Sequence, residues 1–176
     1  MEYEISEQDR QKAKIPHEIF LTNLIGNHIL GFVSALGVAG SYWQPLALVP
    51  LISLAVVAYT MWRAKRASTE ESWFVMCHWQ LCVKRSRTLL AVMLLLVIVA
   101  LLGWVAYTHL GMMDVAVKAM IGGVGVLPVM VTILVLIMME IDAMHQATQG
   151  KISASMVELY PKPDSVKALQ GPVKAS

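Results

Sequence analysis

The sequence predicts an all-α integral membrane protein, a four-transmembrane-helix bundle with a cytoplasmic amphipathic helix between spans two and three. Three observations predict it. The 176 residues are 57% hydrophobic and 15% charged, whereas a soluble domain is about 45–50% apolar and about 25% charged. The excess falls in four long blocks, and about 20 helical residues cross a hydrocarbon core. The basic residues gather on one side of these blocks, the pattern that sets membrane orientation.

Residues 1–18, MEYEISEQDRQKAKIPHE, form a polar cytoplasmic arm, separated from the first span by Pro16. The first span covers 19–40. Its Asn23, Asn27 and His28 break the apolar run, and Glu2, Glu4, Glu7 and Asp9 precede it. A cleaved signal peptide needs a basic start and a clean apolar core. The segment is therefore read as a retained span, although Ala39-Gly40-Ser41 offers small residues. Tyr42 and Trp43 mark the outer interface. Pro45 suits the first turn of the second span, 46–62, and Pro50 is placed to bend it.

The cytoplasmic loop, 63–87, is more than a linker. Ser68-Thr69-Glu70-Glu71 reads as a capping box. The SWFVMCHWQLCVKRSR that follows is apolar, aromatic and basic at its end, as suits an interfacial helix or one running straight into the third span. That span, 88–107, is uncharged and ends in Trp104 and Tyr107. The fourth, 118–141, carries Gly122, Gly123, Gly125 and Pro128, which a membrane helix tolerates, with a kink expected at Pro128. Together, 19–145 make the membrane domain. The tail, 146–176, holds Pro161, Pro163, Pro172 and small polar residues, and is expected to be flexible.

Three basic residues lie in the arm, six in the loop and four in the tail; Lys118 alone lies on the other side. The positive-inside rule then puts both termini in the cytoplasm of a bacterial-type inner membrane. The basic residues are spent on orientation, so nucleic acid is not an expected partner. Cys77 and Cys82 fall on the reducing side, in a spacing that suits neither a usual zinc site nor a redox pair.

Chemistry-bearing residues cluster toward the inner side. Asn23 and Asn27 share a helix face, and polar groups in hydrocarbon turn toward a bundle interior or a cavity. They read first as interhelical glue. His28 is the sharper candidate, for haem b, a quinone or a proton. Haem usually needs two axial ligands, and no second histidine lies at matching depth in one copy. Glu140, Asp142 and His145 end span four; with Cys77 and His78, and with His17-Glu18 before span one, they are weak metal candidates at one inner surface. Trp73, Phe74 and Trp79 are candidates for a partner interface. No P-loop, dinucleotide fingerprint, nucleophile elbow or HExxH helix is present, so an enzyme is not expected.

The expected function is a small non-enzymatic accessory or scaffold subunit, with no cofactor as the first expectation. It would sit in the lipid bilayer and hold another membrane protein, or a second copy of itself, through its cytoplasmic face. A haem- or quinone-associated redox subunit centred on His28 is the alternative. A small oligomeric transporter or channel is a further one, although spans two and three show few polar groups for a path.

Overall fold

A computed structural model describes residues 2–42 and 44–170. Trp43 and the last tail residues, Pro172 and Lys174 among them, lie outside the described residues. The element order is β1 (Glu2–Tyr3), α1 (Glu7–Thr22), a π-helical segment (Asn23–Gly31), α2 (Phe32–Val38), α3 (Gln44–Glu70), α4 (Trp73–His109), α5 (Asp114–Met120), a second π-helical segment (Ile121–Val126), α6 (Leu127–Thr148), α7 (Ala154–Leu159) and β2 (Ala168–Gln170). These merge into four helical rods, Glu7–Val38, Gln44–Glu70, Trp73–His109 and Asp114–Thr148. Each is long and apolar enough to cross a membrane. Short connections turn each rod back along the previous one. Much of their outward surface is apolar, with Leu94, Leu101 and Val131 more than half exposed. A monomer in water rarely shows so much contiguous apolar surface.

The helices run further than the apolar blocks. Pro16, expected to separate arm from span, lies inside α1. The helix starts instead at Ser6, whose hydroxyl accepts from the Asp9 N–H at 3.2 Å, with Glu7 and Asp9 in the first turn complementing the helix dipole. Ala13, Pro16, His17 and Phe20 are buried against α4 and α6, and this packing overrides the proline's poor propensity. The expected capping box is not formed either. Ser68 and Thr69 lie in the last turn of α3 and donate back to the Lys65 and Arg66 carbonyls. The α4 N-cap is Ser72, in extended conformation. Residues 73–87 are thus no separate helix but the first turns of a 37-residue one.

Glu71, at the α3–α4 turn, holds the end together instead. It pairs with Lys12 of α1 at 3.1 Å and with Arg63 of α3. Burial pushes its pKa up, but the hydrogen bonds and charges of Lys12 and Arg63 outweigh that and leave it below the usual value. Arg63 also stacks over Trp79, 5.3 Å from its ring centroid.

The N-terminal segment and the described part of the tail meet at this end. Tyr3 N–H donates to the Gly150 carbonyl and Glu4 N–H to the Lys167 carbonyl, each at 3.0 Å, and β1 pairs antiparallel with β2. The tail, expected to be flexible, therefore carries α7 and β2. Its Ile152 and Met156 complete a core with Tyr3, Phe74, Val75 and Trp79, and with the small Ala13, Ala64, Ala67, Ala143 and Ala147. The alanines let the helices approach closely; the aromatic side chains fill the layer above.

A second core, Phe20, Leu24, Cys82, Leu89, Val129, Ile133 and Leu136, lies further along the rods. Toward the opposite end α4 meets the glycine-rich part of the fourth rod. A Cβ on Gly125 would come within 2.8 Å of Leu96, and one on Gly103 within 3.1 Å of Val117. Gly122 and Gly123, by contrast, face open space.

Candidate functional site

The structure brings the inner polar residues into two groups, one on each side of the second core. The first is a buried charged group. His17 Nδ1 lies 2.5 Å from Glu140 Oε2, and its Nε2 lies 2.9 Å from His78 Nδ1. Arg85 Nη1 donates to Glu140 Oε1 at 3.0 Å and to the Met139 carbonyl at 2.9 Å. α1, α4 and α6 each supply a member. A buried carboxylate needs such compensation, since leaving one unpaired in a low-dielectric interior is expensive.

Of the metal candidates, His17, His78 and Glu140 join this group, with His17 between the other two. Both nitrogens of His17 and both oxygens of Glu140 are already taken. Asp142 accepts from Gln146 at 2.6 Å, and His145 lies 2.7 Å from Gln149, both at the exposed end of α6. Cys77 is a buried free thiol in the terminal core. Among the described residues, no three His, Cys, Asp or Glu side chains are placed to hold a metal ion.

The interface candidates turn inward. Trp73 meets Tyr3 edge to face at 5.2 Å and donates from Nε1 to the Tyr160 carbonyl at 3.0 Å. Phe74 and Trp79 are buried in the terminal core. Their apolar surface is used within the chain.

The second group lies on the far side of the apolar layer. Asn27 Nδ2 donates to the Val49 carbonyl at 2.8 Å and to Asn23 Oδ1 at 3.2 Å. Asn23 Nδ2 donates to Ser53 Oγ at 3.1 Å, and Ser53 Oγ lies 2.8 Å from His28 Nε2. Asn23, Asn27 and His28 were legible from sequence; Ser53 of α3, fully buried, was not. A serine in an apolar run usually bonds its own helix backbone, as Ser34 does with the Leu30 carbonyl. Only the fold shows that Ser53 faces span one.

His28 opens onto a cavity of about 300 Å³ lined by all four rods. Phe32, Val49, Met93, Leu96, Ala100, Ile121, Val129 and Met130 contribute, and His28 is the one lining residue with a hydrogen-bonding side chain. Both π-helical segments and Pro50 meet here. The first π segment carries Asn23, Asn27 and His28, the second supplies Ile121 and Val126, and Pro50, which cannot donate to the helix ladder, forms part of the wall. Wide turns of this kind are rare and recur at functional sites. The volume is at the small end of ligand pockets, which are mostly apolar with few polar groups.

His17 and His28 are eleven residues apart, roughly 16 Å along a helix. Phe20 and Leu24, both fully buried, fill the interval on the same face. Along this rod the charged group and the cavity are therefore separated by side chains with no hydrogen-bonding atoms. No second histidine lines the cavity. No protein-family pattern, curated protein or solved structure gives a significant match to this chain.

Proposed function

We propose that this protein is a multi-pass subunit of a bacterial-type inner membrane that holds a small membrane-soluble molecule, of quinone type, in the cavity at His28. Its four rods would cross the bilayer as a bundle, with both termini in the cytoplasm. The observation that carries the reading is an apolar cavity walled by all four rods, with one hydrogen-bonding side chain at its edge and a π-helical segment on either side. Such a site suits a ligand that is mostly apolar and carries one polar group. The accessory-subunit reading is compatible with this role, but it has lost the exposed aromatic surface that motivated it. A transport path through a single copy is opposed by the layer of Phe20, Leu24, Ile133 and Leu136.

The test is binding of a radiolabelled short-chain benzoquinone to the protein in lipid nanodiscs, with empty nanodiscs as background. Saturable binding near one molecule per chain is expected, and Ala100→Phe, which fills the cavity, should abolish it. Binding no greater than in empty discs, or wild-type binding by Ala100→Phe, would remove the proposal.

A further inference from the structure

The hydrogen bonds around His28 have a direction, and it is set by one backbone carbonyl. Val49 C=O can only accept, so the Asn27 side chain must turn its NH₂ toward it. The second hydrogen of that NH₂ goes to Asn23, which must therefore present its oxygen to Asn27 and its NH₂ to Ser53. Ser53 Oγ thus accepts from Asn23. Its single proton can then go to His28 Nε2, at 2.8 Å. In that arrangement Nε2 carries no proton and the ring proton sits on Nδ1.

We infer that His28 presents a fixed Nδ1–H donor to the cavity, so that the site selects molecules bearing a carbonyl acceptor, an oxidised quinone or a phospholipid ester. The inference rests on reading the cavity as a ligand site and adds to it the chemical class of the ligand. It also closes the site to iron at Nε2, because that lone pair is engaged by Ser53. Asn23, Asn27 and Ser53 are positioning residues: they touch no ligand and act by fixing the tautomer of the one side chain that does. A hydrophobic pocket discriminates weakly between ligands of similar shape, whereas a site with an oriented polar group rejects those that leave it unpaired.

The experiment uses full-length protein with ¹⁵N-labelled histidine in nanodiscs. Long-range ¹H–¹⁵N correlation should show His28 as the Nδ1–H tautomer, and a short-chain benzoquinone should move that proton downfield. Ser53→Ala should release the tautomer and weaken quinone binding by about three- to tenfold, the worth of one neutral hydrogen bond. Ser53→Thr, which keeps the hydroxyl, should restore both. If the proton already lies downfield without quinone in ester-lipid discs, and moves back in ether-lipid discs, the acceptor is the lipid ester. A wild-type Nε2–H tautomer overturns the inference, as does unchanged quinone binding in Ser53→Ala. If binding is nonetheless lost in Ala100→Phe, the ligand site survives and only its carbonyl selectivity falls. If Ala100→Phe also binds normally, both readings fall.

Discussion

Glu140 shows what a single residue can decide. It is completely buried and is held from two sides by Arg85 and His17. Removing one partner of a buried ion pair costs about 3–5 kcal/mol, because the other charge stays behind. Glu140→Ala should therefore destabilise the protein by an amount of that order in detergent unfolding. Replacing the whole group, with Glu140→Met, Arg85→Met, His17→Leu and His78→Leu together, should recover most of the loss. A single substitution costing less than about 1 kcal/mol would show that the group does not hold these helices together. Sequence reading placed Glu140 and His78 on one inner surface and noted His17 beside them. It counted Arg85 only as an orientation signal, because a basic residue beside an apolar block ordinarily is one. What a one-dimensional pattern cannot show is that Arg85 turns inward across the bundle to meet a carboxylate 55 residues later.

At the scale of elements, the apolar blocks located the four rods but cut them short. Hydropathy ends where lipid would end, whereas a helix ends where its packing and capping do. α3 runs to Glu70, past Trp62, because Ala64 and Ala67 are buried against neighbouring helices. α4 begins at Trp73 because the amphipathic stretch before span three packs against α1, α3 and the tail rather than lying apart. The glycines of the fourth rod were legible as small packing surfaces, yet only Gly125 meets its neighbour at short range. Gly125→Leu should force α4 and the fourth rod apart and lower the midpoint of thermal unfolding in detergent. Gly123→Leu, which faces open space, should leave it within a degree or two. Equal effects at the two positions would contradict the close approach at Leu96.

The whole molecule is lopsided. One end is a dense head built from arm, helix turns and tail; the other ends in the Leu110–Met113 connection around Gly111 (φ +67°). The tail misled sequence reading because Pro161, Pro163 and the small polar residues resemble a linker. Two buried side chains, Ile152 and Met156, and a strand partner far away in sequence hold its described part against the head. Orientation is a property of the whole chain, argued from its charge distribution. Reporter fusions should give a cytoplasmic signal after Gly150 and an external one after Gly111. The reverse pattern would overturn the assignment of the head to the cytoplasm.

The pairing of β1 with β2 has a consequence for how the chain is made. Glu2 and Tyr3 leave the ribosome well before the residues they pair with, Gly150, Lys151 and the β2 strand. The rods can form during synthesis while the head cannot close. Until residues 150–160 arrive, Tyr3 and Trp73 lack the Gly150 and Tyr160 carbonyls they bond, and part of their apolar surface stands uncovered. The clasp between β1 and β2 is thus the last contact of the head to form during synthesis.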